Sequence, residues 1–146
     1  MSSVAIREAH SSDAPILTKL IVDLGHSITE AEVRCNLERL ATIGLLPLVA
    51  ISGEKVIGLC GLSEMIAIHR DAPVGRISIL VVDKAHRGGG IGTVLVAEAE
   101  KRLAARGCKI LEVTSNQRRE RAHGLYEKLG YERTSFRFMK RLEAGL

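Results

Sequence analysis

The chain has 146 residues, 46% hydrophobic and 26% charged, proportions that exclude a disordered, collagen-like or coiled-coil protein and predict one domain spanning residues 1–146. Its net charge of +4 sits in the last fifth: residues 1–117 carry 13 Lys+Arg and 13 Asp+Glu, residues 118–146 carry 8 and 4. With so neutral a body, two Tyr, two Phe and no Trp, no nucleic-acid partner is expected, because such binding needs a basic groove and stacking rings.

In chain order, Val4 to Glu8 reads as a first strand. Ser12 or Asp13 can cap a helix whose first turn holds Pro15 and whose apolar stripe, Ile16, Leu17, Leu20, Ile21 and Leu24, stops at Gly25. Thr29 with Glu32 fits a capping box opening a second helix, with Val33, Leu37 and Leu40 on its stripe and Gly44 at its end. Leu48–Ile51 and Val56–Leu62 are β-type runs joined through Ser52-Gly53-Glu54-Lys55, the composition of a hairpin turn. A loop over Ile66–Pro73 precedes the increasingly apolar run Gly75–Val82, which reads as the central strand of the sheet, buried on both faces. Gly90–Arg106 is helical by pattern, with Leu95, Ala99 and Leu103 on one stripe and Gly107 as the stop. A strand at Ile110–Thr114, a helix at Arg119–Leu129 closed by Gly130, and a last strand at Thr134–Leu142 carrying Phe136, Phe138 and Leu142 complete the order. No apolar run approaches the ~20 residues of a membrane span, and Met1 to His10 lacks a signal peptide's layout, so a cytoplasmic protein without membrane contact is expected. Cys35, Cys60 and Cys108 lack ligand or framework spacing, so buried reduced thiols and no metal site are expected.

The most informative stretch is His86-Arg87-Gly88-Gly89-Gly90-Ile91-Gly92-Thr93, between a buried strand and the first turn of a helix. Unpaired N–H groups and partial positive charge make such a junction an anion site, and glycine lets a phosphate approach the backbone. A P-loop is excluded, since no Lys follows Gly90 or Gly92. A dinucleotide fingerprint fits poorly: Gly88-x-Gly90 is followed by Thr93 and Gly90-x-Gly92 by Leu95, although Glu112 lies about 20 residues on. The remaining pattern, Arg87-x-x-Gly90-x-Gly92, resembles the acyl-CoA signature of the GNAT N-acetyltransferases. Ala122-His123-Gly124-Leu125-Tyr126-Glu127-Lys128-Leu129-Gly130-Tyr131 is similar to that family's closing A-x-x-L-Y-E-K-x-G-F segment, with Tyr in place of Phe.

The resemblance implies a single α/β domain with a mixed, mostly antiparallel sheet of six or seven strands and helices on both faces. It implies acetyl-CoA as co-substrate, with the backbone of Leu80, Val81 and Val82 pairing the pantetheine arm and the N–H groups of Arg87, Gly88, Gly89, Gly90, Ile91, Gly92 and Thr93 holding the pyrophosphate. The Val82 N–H would face the thioester oxygen, Tyr126 would stand near the sulfur as general acid, and Asn116 would meet the cofactor. Asn116 lies six residues before Ala122, where a turn or cap role is equally open, and Arg119 takes the place three before it. Arg118, Arg119 and Arg121 are open to two readings, contact with the CoA 3'-phosphate or an acidic acceptor, and a solvated face.

A lysine-type amine is about one part in two thousand neutral at pH 7, so its proton must be removed. The acidic residue that family members often carry on the fourth strand is replaced by Arg76 and Ser78, which leaves Glu64 and His69 as candidates and the base open. The function expected is acetyl-CoA dependent N-acetylation by direct transfer in a ternary complex, no Cys lying in either motif. The acceptor is expected to be a small-molecule amine; a protein amine and a non-catalytic acyl-CoA sensor stand as alternatives. The resemblance also implies a homodimer.

Overall fold

In the computed structural model, which describes residues 4–114, 120–134 and 137–142, with the backbone alone at 120–122, the elements follow the expected order. They are β1 (Val4–Glu8), α1 (Ala14–Asp23), α2 (Glu30–Thr42), β2 (Leu48–Ser52), β3 (Lys55–Met65), β4 (Val74–Val82), α3 (Ile91–Ala105), β5 (Ile110–Val113) and α4 (Glu120–Lys128), with 3-10 turns at Ser11–Asp13 and Lys84–His86. Two compact units hold them, Met1–Thr114 and Ser115–Leu146.

Among the described residues, the four α-helices end in one device. The glycine after the helix takes a left-handed φ, at Gly25, Gly44, Gly107 and Gly130. The next residue donates its N–H five residues back: His26 to Ile21, Leu45 to Leu40, Cys108 to Leu103 and Tyr131 to Tyr126. This double turn satisfies carbonyls that the helix leaves orphaned. At the front of α2 the capping box is reciprocal, with Glu32 N–H on Thr29 Oγ1 at 3.2 Å and Thr29 N–H on Glu32 Oε1 at 3.0 Å. Asp13 occupies the cap position of α1 without capping it with its side chain. The carboxylate instead takes both Arg7 guanidinium nitrogens at 2.8 and 3.0 Å and the His10 N–H at 2.7 Å. Charge-assisted bonds from β1 outcompete a neutral cap.

The sheet order is β1-β2-β3-β4-β5, antiparallel except for the parallel pair β4 and β5. It has five strands among the described residues, fewer than the six or seven expected. The stretch 137–142 is not a strand, and its Phe138 and Leu142 are 93% and 87% exposed. Alternation supplies a strand only where a neighbouring edge takes up the backbone groups and a core takes up one face. The middle strand is β3, not β4: Val56 to Leu62 are all buried, with β2 paired along Lys55 to Cys60 on one side of β3 and β4 along Gly58 to Met65 on the other.

Helices cover both faces. On one, Leu17, Leu20, Val33 and Leu37 from α1 and α2 bury against Val49, Leu59 and Val81. At about 1.5–3 kcal/mol per buried side chain, those four helix residues contribute roughly 6–12 kcal/mol before entropy is counted. On the other face α3 packs Ile91 and Leu95 over Gly58, and Leu103 over Gly75. The thiols do not all join the core as expected: Cys60 is buried, Cys35 is exposed and Cys108 half-buried. Cys35 falls on the side of α2 away from the Val33 and Leu37 stripe, and Cys108 follows the Gly107 turn. Among the described residues no helix is long and apolar enough to cross a membrane.

Candidate active site

Strand β4 has two neighbours only along its first half. It pairs with β5 from Val74 to Ile77, opposite Ile110 to Val113, whereas its pairing with β3 continues to Val82. The change falls at an irregularity: Gly61 faces Ile79 and Leu62 faces Ile77, so Ser78 is an extra residue in β4. Such a bulge bends and twists its strand. Gly61 makes room for it, since a Cβ there would lie 2.6 Å from Ser78 Oγ and 2.7 Å from Ile79 Cγ2.

Beyond the bulge the hydrogen-bond parity decides what β4 presents. The Asp83 N–H donates to the Ile57 carbonyl at 2.8 Å. Alternation then makes Leu59 and Val81 a hydrogen-bonded pair, and turns the N–H and C=O groups of Leu80 and Val82 away from β3. On that side β4 has no strand partner among the described residues, and the Val82 carbonyl accepts the Arg87 Nε–H at 3.2 Å. Val81 addresses β3 with its backbone and buries its side chain in the α1 and α2 core.

The open edge runs into the glycine loop. The Lys84–His86 turn is pinned by the His86 N–H on the Asp83 carbonyl and by His86 Nδ1 at 2.9 Å from Asp83 Oδ2. That imidazole contact holds the Asp83 carboxyl below its ordinary range. Gly88 and Gly90 have φ of +85° and +81°, a backbone that side-chain-bearing residues adopt only with strain. Gly90 caps α3 with no side-chain bond to the first turn, so orphan N–H groups and the positive helix end face outward together. This is a cradle for an anion.

In the second unit, the Tyr126 carbonyl accepts the Tyr131 N–H at 2.9 Å, and the Gly130 N–H meets the Glu127 carbonyl at 3.1 Å. The Tyr126 and Tyr131 rings meet edge to face with centroids 6.0 Å apart. That is the apolar contact that usually accompanies this helix ending, and it gives the Gly130-Tyr131 pair a local reason. Tyr126 is 8% exposed.

Residues 12–131 match the sequence model of the Acetyltransferase (GNAT) family. The chain belongs to the GNAT acetyltransferase family. Among solved structures, a GNAT family acetyltransferase from Staphylococcus aureus is 27% identical, with 97% of this chain and 100% of that chain covered at a TM-score of 0.77. The aminoglycoside N-acetyltransferase AAC(6')-Iy in complex with CoA is 18% identical, covering 99% and 97% at 0.86. A ribosomal-protein-alanine N-acetyltransferase from Brucella melitensis is also 18% identical, covering 97% and 100% at 0.80. The search of curated proteins gives no match.

As a GNAT member the chain is an acyltransferase that uses acyl-CoA, and the site's donor set fits that molecule. Leu80 and Val82 offer amide-type groups on the open edge, and the N–H groups at the start of α3 are of the kind that holds an anion. The two base candidates do not join them. Glu64 stands opposite Gly75, seven residues along β4 from Val82, which is roughly 20 Å. It is held by Arg106 Nε at 2.8 Å and kept below its ordinary range by that bond. His69 lies in the 66–73 loop, before the other end of β4. Asn116, Arg118 and Arg119 lie outside the described residues, as does the Arg121 side chain.

Sequence reasoning missed the bulge, the Arg87 contact with Val82, and the Arg76 Nη2 ion pair with Glu112 at 3.1 Å across β4 and β5. One signal for the bulge was available: an isolated glycine, Gly61, inside a strand pattern.

Proposed function

We propose that this GNAT acetyltransferase, as one domain over residues 1–146, moves the acetyl group of acetyl-CoA directly to the primary amine of a small molecule in a ternary complex. The observation that carries the reading is the open β4 edge running without interruption into an uncapped, glycine-lined helix start. Acetyl-CoA supplies the activated acyl group. The backbone of Leu80 and Val82 binds and aligns its extended arm, and the N–H groups from Arg87 to Thr93 hold its pyrophosphate. The Val82 N–H, on the open edge, serves as a fixed donor where negative charge develops on the carbonyl oxygen, a contact worth about 3 kcal/mol of barrier. Tyr126 hydrogen-bonds the departing sulfur. Full proton donation from a phenol near 10 to a thiolate near 8.5 is uphill by roughly 1.5 units, so hydrogen bonding is the role its chemistry supports. Cys60, its thiol pushed up to about 12 by burial, is unsuited to be an acyl carrier, which supports direct transfer.

Ser78 at the bulge, in place of a carboxylate, favours a second reading in which the site binds acyl-CoA as a sensor without turnover. Thermal unfolding with CoA, acetyl-CoA and NAD, followed by thiol release against small amines and peptides, separates the two. CoA at 100 times its Kd adds about 2.7 kcal/mol, a rise of roughly 5–10 °C in Tm. Amine-dependent thiol release supports the enzyme, a Tm rise without release supports the sensor, and a rise with NAD alone refutes both.

A further inference from the structure

The side chains around the β4 bulge limit the amines that this site can acylate. Gly75 faces α3, so Arg76 points to the opposite face, where the extra residue Ser78 joins Ile79 over Gly61. The exposed polar group at the bulge is therefore a hydroxyl, and the charge beside it is a guanidinium. Every carboxylate that flanks β4 among the described residues already has a basic side chain as its partner. Glu112, opposite Arg76 on β5, pairs with it at 3.1 Å. Glu64 on β3 pairs with Arg106 at 2.8 Å and lies on the α3 face. Asp71, in the loop before β4, pairs with Lys109 at 2.6 Å, and Asp83, after it, pairs with His86 at 2.9 Å. Lys84 and Arg87 add further positive charge to the loop. A carboxylate that already serves a cation is a poor base, and a cationic rim disfavours a substrate that arrives as ammonium.

We infer that the acceptor nitrogen is a weakly basic amine, an α-amino group rather than a lysine-type ε-amino group, because the β4 bulge presents Ser78 and ion-paired Arg76 where deprotonating a strong ammonium needs an unengaged carboxylate. The inference rests on the amine-acetylation reading above. At pH 7 an α-amino group is about 10–17% neutral and an ε-amino group about 0.04%, a difference of about 300-fold in the reactive form. The neutral nitrogen forms the C–N bond, the C–S bond breaks, and the proton shed by nitrogen ends on the CoA sulfur. Atoms balance with no other co-reactant.

Two isomers of equal charge test this: Nε-acetyl-lysinamide, with a free α-amine, and Nα-acetyl-lysinamide, with a free ε-amine. The full chain, acetyl-CoA and a thiol-release assay give kcat/KM for each from pH 6 to 10. The expected result is a preference of at least 100-fold for the free α-amine at pH 7. Its profile should rise tenfold per pH unit and level near pH 8, while the isomer keeps rising toward pH 10. Equal or better use of the ε-amine at pH 7 overturns the inference, as do two profiles that level at one shared pH, which would report a base on the enzyme. Thiol release with neither isomer, from protein whose Tm rises with CoA, overturns the amine-acetylation reading itself.

Discussion

Replacing Gly61 with alanine tests whether the bulge opens the site. The new methyl would stand 2.6 Å from Ser78 Oγ and 2.7 Å from Ile79 Cγ2, both closer than real Cβ atoms approach. The serine hydroxyl can rotate away, but Ile79 is branched at Cβ and packed against the α1 and α2 core, so it cannot. Overpacking of this kind costs about 1–3 kcal/mol, which at this chain length lowers Tm by about 2–12 °C. Relief by drawing the bulge in would extend the β4 and β5 ladder past Ile77 and narrow the open edge, so CoA affinity should fall as well. Gly58→Ala is the control on the same strand: its methyl meets Leu95 Cδ1 at 3.1 Å and Ala50 Cβ at 3.3 Å, a milder conflict. Scanning calorimetry and CoA titration of the two variants give the comparison, and the double variant Gly61→Ala with Ser78→Gly should recover only part of the loss. If Gly61→Ala stays within about 0.5 kcal/mol of the parent with unchanged CoA affinity, or if Gly58→Ala costs more, the account of the bulge is wrong.

Gly90→Ala puts a side chain at φ +81° with open space around its Cβ, so about 1–2 kcal/mol of backbone strain should appear in calorimetry together with weaker CoA binding; intact CoA affinity would remove the loop from the site. Tyr126→Phe keeps the ring that meets Tyr131 and should lower kcat by about 10² to 10⁴ with little change in acetyl-CoA affinity, whereas an unchanged kcat reduces Tyr126 to packing. Arg7 holds the Asp13 carboxyl below its ordinary range. Its contribution is therefore complete above about pH 4 and lost as pH falls through the folded value. Asp13→Asn should cost about 1–3 kcal/mol at pH 7, and the cost should shrink as pH falls below about 4 in denaturant melts; a gap that does not shrink in acid contradicts the pairing. A disulfide reagent at pH 8 should modify exposed Cys35 first and spare Cys60 until the protein unfolds, and equal rates would show that Cys60 is accessible.

What the sequence determined by itself is local. The glycines at 25, 44, 107 and 130 stop their helices through bonds that span five residues, and Thr29 reaches Glu32 within one turn. Hairpin composition at Ser52 to Lys55 and the glycine run at 88–92 also act over a few residues, so their chemistry can be read in order along the chain. The cofactor side of the site was legible for this reason: a strand end, a loop and a helix start are neighbours in sequence.

Tertiary structure decided whatever depends on which strand lies beside which. Gly61 meets Ser78 only in the register of β3 and β4, and that register turns Leu80 and Val82 toward the open edge and Val81 away from it. Glu64 finds Arg106 across 42 residues and Arg76 finds Glu112 across 36, and neither pairing is announced by any local pattern. The alternation expected to make a strand of 134–142 shows the same limit over its described part, 137–142, Phe136 lying outside the described residues, since period two marks a chain able to form a strand but cannot supply its neighbour. Side-chain pattern is written residue by residue, while the partner of each backbone edge and each charge is set by the packing of the whole.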